Sequence, residues 1–318
     1  MAVPTNTYQT YQQIGRREDL ENAIYMISPT ETPVLTMAKR ANAKQTLHEW
    51  QTDALAAAAS NAKIEGDDAS ASAADVTVRL GNYTQISSKT VFVSGTAQEI
   101  DAAGREDELA YQVAKRSSEI KRDIELGITQ NIASATGSAS VARTSGSMES
   151  WIATNISSGA GGSTAGFSAG IVAAPTDGTQ RALTEALLKT QIQACWSAGG
   201  QPDTVLVGPK NKAVVSGFTG ISTQYTQTPA KDQANIIAAA DVYVSDFGKL
   251  DIVPSRFNRD RTLLLLDMEY WAVAYLRTFR QWPIAKTGDA EKRQILAEWV
   301  LVSKNEKASG KVADITTP

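Results

Sequence analysis

The chain has 318 residues, with 31 Lys and Arg against 34 Asp and Glu for a net charge of −3, and it is 42% apolar and 20% charged. That length accommodates one large domain or two modest ones, and the composition excludes a disordered or charge-dominated chain. The near balance of charge removes any global drive toward nucleic acid or anionic membrane, a single cysteine (Cys195) excludes an internal disulfide, and a single histidine (His48) leaves little material for a zinc centre or a histidine-based catalytic triad.

Residues 1–44 read as an extended N-terminal arm. Its first stretch is polar with no basic segment before an apolar run, unlike a secretory signal. Pro29 and Pro33 bracket a turn, and Val34, Leu35, Met37 and Ala38 fit one short helix ending near Ala41. Segment 45–95 reads as a long two-stranded excursion, with strand signatures over 46–50 and 83–93. Between them lies an alanine-rich tip that holds Lys63, Glu65, Asp67 and Asp68 but little that could anchor a core. An isolated hairpin is marginal in water, so such an excursion either moves or is laid on a partner.

In 96–135, Leu109, Val113, Ser117, Ile120, Ile124, Ile128 and Ile132 recur at helical spacing, predicting one helix over 104–133 of roughly 45 Å. Segment 136–180 is rich in Gly and Ser around an apolar island at 148–152 and reads as a surface insertion. A further unit, 181–268, shows an amphipathic helix over 181–198, a helix opening at Pro209, and strands over 203–207, 242–244, 250–253 and 262–266. Residues 269–303 carry strands over 271–276, 279–284 and 295–303 around a charged tip, and 304–318 form a C-terminal segment. The class is α+β. The leucine run of 263–266 falls far short of the roughly 20 apolar residues a membrane span requires, so no membrane partner is expected.

Several motifs match catalytic patterns only in part. Gly166-Phe167-Ser168-Ala169-Gly170 has the spacing of a nucleophile elbow, but a Gly/Ser-rich segment produces such a match by composition, and His48 is the sole candidate base. Ser118 (or Ser60) with a lysine three residues on, Ser245-Asp246-Phe247 and Lys286-Thr287-Gly288 follow the order of the serine β-lactamase motifs. Phe247 there replaces an asparagine, and Ser118 falls inside the predicted long helix. Gly248-Lys249-Leu250 lacks the Ser or Thr of a phosphate loop, and the acids at 65–68 lack calcium-loop spacing. Cys195 on an apolar helix face is core packing, and the alternating charges of 115–125 form a salt-bridged helix face rather than a nucleic-acid surface. No catalytic, cofactor-binding or metal-binding residue is expected.

The order of arm, extended hairpin, long helix, mixed unit and late strands resembles the major capsid proteins of tailed bacteriophages with the Hong Kong 97-like fold. YTQISSKTVFVSGTAQE (83–99), GREDELAYQVAKRSSEIKRD (104–123), DVYVSDFGKLDIVPSR (241–256) and AKTGDAEKRQILAEWVLVSKNEKASG (285–310) carry the resemblance. It implies an N-arm (1–44), an E-loop (45–95), a P domain with its spine helix (96–135) and return strands (269–303), and an A domain (181–268). The implied function is self-assembly, through pentamers and hexamers, into an icosahedral shell around double-stranded DNA held without sequence-specific contact. The shell would be built in the cytoplasm of an infected bacterium and become part of the virion. Portal, scaffolding and decoration proteins are the further partners it implies. Lys63, Glu65, Asp67 and Asp68 at one tip, and Lys286, Asp289, Glu291, Lys292 and Arg293 at the other, are the candidate contacts between copies. Some members cross-link a Lys to an Asn; no Asn and Glu pair to match Lys63 is identifiable, so non-covalent shells are expected. An encapsulin-like compartment and a β-lactamase-type serine hydrolase are the alternatives.

Overall fold

The computed structural model describes residues 28–68, 76–100, 102, 104, 107–218 and 241–316; most of the expected N-terminal arm lies outside them. In chain order the first elements are α1 (Pro33–Met37), β1 (Lys39–Asn42), β2 (Leu47–Thr52), β3 (Val78–Tyr83) and β4 (Gln85–Ser94). Next come α2 (Gly95–Glu99), α3 (Glu108–Thr129), α4 (Met148–Trp151), and the two-residue strands β5 (Ile156–Ser157), β6 (Phe167–Ser168) and β7 (Ile171–Val172). The rest are α5 (Glu185–Ser197), β8 (Thr204–Val207), α6 (Pro209–Ser216), β9 (Val242–Ser245), β10 (Gly248–Pro254), β11 (Leu263–Leu266), β12 (Trp271–Pro283), β13 (Ala290–Ser303) and β14 (Gly310–Val312).

Two main sheets share one core. The first has the order β1-β12-β13-β4 and the second the order β5-β14-β11-β8-β10-β9, while β2-β3 and β6-β7 form separate ribbons. Four consecutive leucines make sense in β11 because the second sheet is covered on both sides. Leu263 and Leu265, with Val205 and Val207 of β8, face Leu188 and Ile192 of α5 and Val215 of α6. Leu264, Leu266 and Leu206 face the other way, into the cluster that Ile120, Ile124 and Ile128 of α3 form with Trp271, Val273, Trp299 and Leu301 of the first sheet. The alternation of a strand thus ties both sheets into one body.

The long helix is shorter than its periodicity predicts: α3 spans 22 residues, roughly 33 Å at 1.5 Å per residue. Asp107 caps its start by accepting a hydrogen bond from the Ala110 N–H at 3.0 Å. Its far end closes at Gln130 and the apolar residue Ile132 lies beyond it. Glu125 on the buried face accepts the N–H groups of Val34 (3.0 Å) and Leu35 (2.8 Å) and fixes α1 against the helix. The helix expected to reach Ala41 stops at Met37, because Lys39–Asn42 pairs in parallel with β12.

Other differences have equally local causes. The strand expected over 83–93 is two strands, divided at Thr84: β3 pairs with β2, while β4 pairs with β13. The strands expected over 271–276 and 279–284 are one bulged strand, β12, whose pairing to β13 persists through the register shifts. The Gly/Ser-rich segment 136–180 is not a loose surface insertion. Its apolar island forms α4, with Met148, Trp151 and Ile152 essentially without solvent contact in the common core, and short polar side chains such as Ser147 and Ser150 bond backbone around it. No helix among the described residues is long and apolar enough to cross a membrane.

Candidate assembly surfaces

The β2-β3 ribbon leaves the body at its Leu47–Tyr83 end and carries its loop outward. Lys63, Glu65, Asp67 and Asp68 are exposed there, with Gly66 (φ +83°) turning the chain between them. Apolar side chains are exposed beside them, Leu55 at 100% and Ile64 at 83%.

The second cluster lies at the β12-β13 turn. Lys286 pairs with Glu291 at 3.1 Å. Lys292 donates to the Thr287 hydroxyl and stands 5.4 Å over the Phe92 ring. The Asp289 carbonyl receives the Gly95 N–H at 3.2 Å, which ties the tip to α2. Arg293 faces Asp107, whose carboxyl is held below the usual carboxylate range by the Gln98 amide first, then the Ala110 N–H, with a smaller part from Arg293. The structure therefore gathers the five charges of this tip around one turn and leaves the four charges of the other tip on a separate ribbon.

Between β4, α2 and the first turns of α3 runs an open groove of about 690 Å³. Its lining is mixed: Phe92 and Ile100 are more than half exposed on it, and Glu108, Gln112 and Arg116 stand on its wall. A second cleft of about 280 Å³ lies under the ribbon, where Leu80 and Val78 face Trp151 and Phe167. There Trp50 packs on Trp151 (5.3 Å between ring centres), which stacks on Phe167 (5.7 Å, 5° between planes).

The catalytic look-alikes are dispersed or serve turns. Ser168 and Ile171 flank a two-residue hairpin turn in which Ala169 (φ 51°) and Gly170 (φ 86°) are both left-handed, a β-hairpin and not a strand-to-helix elbow. Ser118 donates to the Ala114 carbonyl of its own helix (3.3 Å), Ser60 lies in the exposed ribbon loop, and the Ser245 hydroxyl closes the β9-β10 turn onto the Gly248 carbonyl (2.9 Å). Lys286-Thr287-Gly288 is the β12-β13 turn, with Gly288 at φ +77°. Cys195 is buried and its thiol is pushed up to about 12 by desolvation, far from a reactive thiolate. Among the described residues no cluster of His, Cys, Asp and Glu could hold a metal ion.

Residues that sequence reasoning passed over gather at the root of the ribbon: Asn82, Thr84, Arg143 and Glu298. Arg143 and Glu298 join at 2.6 Å, and Arg277 adds a second cation to Glu298 at 2.8 Å. Two signals for them exist in the sequence. Glu298 is a lone carboxylate inside the apolar run of β13, and Arg143 is one of few charges in a Gly/Ser-rich stretch.

A family model described as SU10 major capsid protein matches residues 3–316. The major capsid protein of Escherichia phage Phieco32 is 42% identical over 126 residues, 39% of this chain and 36% of that protein, so the match spans little more than a third of the curated relative. Among solved structures, a chain of the Cyanophage A-1(L) capsid asymmetric unit superposes with a TM-score of 0.62 at 14% identity, covering 97% of this chain and 98% of that one. The SrpI encapsulin of Synechococcus elongatus PCC 7942 superposes with a TM-score of 0.54 at 9% identity, covering 92% and 93%. The fold is the Hong Kong 97-like capsid fold.

Proposed function

Since the chain belongs to the SU10 major capsid protein family, we propose that copies of it close into an icosahedral shell that encloses the double-stranded DNA of a tailed phage. The observation that carries this reading is the β2-β3 ribbon, whose described loop residues, 53–68 and 76–77, are all exposed, Leu55 and Ile64 among them. On a neighbouring copy, the groove offers exposed Phe92 and Ile100 to meet them. Residues 53–68 hold Asp53, Glu65, Asp67 and Asp68 against Lys63 alone; the groove carries Arg116, which pairs with Glu119, and Glu108 on its wall, with Lys292 over its Phe92. Each such contact is weak, but a closed shell repeats it in every subunit, so the sum is large.

The protein acts in this reading as a building unit of the virion and not as an enzyme. It assembles in the cytoplasm of the infected cell with portal, scaffolding and decoration proteins as partners. The near-neutral charge suits a container that DNA enters without a basic lining to draw it in. An encapsulin-like compartment shares the fold and differs in its contents; the family match over almost the whole chain favours the phage shell, and a co-purifying enzyme cargo would reverse that preference.

The test is a double variant, Leu55→Asp with Ile64→Asp, compared with the parent by light scattering under conditions in which the parent assembles. Both side chains are exposed, so circular dichroism and the melting temperature stay as in the parent while the assembled fraction falls at least tenfold. Equal assembly by the variant would overturn the ribbon as the carrier of the contact.

A further inference from the structure

Thr84 is the single residue between β3, which belongs to the ribbon, and β4, which belongs to the first sheet. A chain that changes sheets at one residue leaves some of its polar groups outside both ladders, and buried groups of that kind need partners of their own. Thr84 is fully buried; its N–H continues the ribbon ladder, while its carbonyl and hydroxyl are bonded to the body. Its N–H donates to the Thr46 carbonyl at 2.8 Å. Its carbonyl accepts from Arg143 Nε at 3.2 Å. Its hydroxyl donates to Glu298 Oε1 at 2.9 Å. Arg143 uses the other arm of its guanidinium on the same Glu298 oxygen, so one planar fork spans the joint and its anchor. Two residues earlier, the Asn82 amide reaches Ser145 (3.1 Å), the Gly146 carbonyl (3.2 Å) and the Leu301 carbonyl (2.8 Å).

We infer that this polar clamp, with Arg143 and Glu298 as positioning residues, sets the angle at which the β2-β3 ribbon leaves the body. Apolar packing at the root resists separation but fixes direction poorly, whereas directional hydrogen bonds from Arg143 and Glu298 to one residue at the joint fix it. The angle determines where the ribbon tip arrives on a neighbouring copy, so the clamp selects the relative tilt of adjacent subunits. That consequence rests on the assembly reading; the clamp itself does not.

The test compares the parent with Arg143→Ala and Arg143→Lys. Glu298 keeps Arg277 in both variants, so its charge is not left alone. Amide hydrogen exchange is measured first on the unassembled chain. Losing a charge-assisted bond at the joint makes the ribbon amides of 47–52 and 78–83 exchange about tenfold faster in the alanine variant, with β12-β13 amides unchanged. The lysine variant falls between, since an ammonium cannot span both acceptors as the fork does. In assembled material the spread of particle diameters widens in the same order. Ribbon exchange equal to the parent's, or faster exchange of the whole first sheet to the same degree, would overturn the clamp. A parent chain that never assembles would overturn the assembly reading and leave the exchange result standing.

Discussion

Lys311 is buried in β14, and its ammonium lies at the edge of a charged network that links three other segments. It donates to the Glu149 carbonyl at 2.6 Å, while the Glu149 carboxylate takes Arg259 at 2.9 Å and the Thr262 hydroxyl at 3.0 Å. Arg259 continues to Asp177 at 2.5 Å, and Arg261 binds Asp314 at 2.8 Å. The network fastens the 136–180 segment to the second sheet. Burial pulls Lys311 down to about 8 and pushes Glu149 above the usual carboxylate range. Between that value and its ordinary one near 10.5, the folded chain binds fewer protons at Lys311 than the unfolded chain, so stability from this group rises with pH. Glu149 acts in the opposite sense, its contribution fading as pH rises above the ordinary carboxylate range. Measured by denaturant unfolding from about pH 7.5 to about pH 10, the parent should gain stability relative to Lys311→Met. A constant difference across that window would show that Lys311 is not held in a depressed state.

At the scale of elements, the two ribbon tips differ in how their charges are used. Lys286 and Glu291 form an exposed pair, and such pairs contribute at most about 1 kcal/mol to a single chain. Reversing two charges there, Lys286→Glu with Arg293→Glu, should leave the melting temperature of the unassembled chain nearly unchanged and reduce the assembled fraction, most at low salt where screening is weakest. Normal assembly by that variant would remove the β12-β13 tip from the contacts between copies. Trp151 shows the other kind of element, a structural anchor hidden in a segment of turn-forming residues. What the sequence showed and hid follows the same division. Regular periodicity placed α5, β8, the start of α6 at Pro209 and the β11 leucines close to where they lie. The break at Thr84 was not legible, since the residues on both sides have strand character and only long-range pairing to β2 and to β13 separates them. Likewise the composition of 136–180 signals turns, and only the tertiary core explains why Met148, Trp151 and Ile152 are buried within it.

For the whole molecule, the second sheet is buried on both faces and shares its inner face with the first, so the body is a rigid block. The ribbon of β2 and β3, by contrast, projects with its apolar tip in solvent. In the proposed assembly, the projecting ribbon of one copy meets the groove of another. The residues of the candidate site divide in the same way: the tip charges were visible in the sequence as charges, whereas the groove and the Thr84 clamp arise from residues far apart in the chain, such as Thr84 with Glu298. The most direct test is cryo-electron microscopy of the full-length chain purified alone and across a range of salt and protein concentration. Closed shells in which the β2-β3 ribbon of each copy lies in the Phe92 and Ile100 groove of a neighbour are the predicted result; a strict monomer throughout, or shells in which each ribbon folds back on its own subunit, would contradict the account.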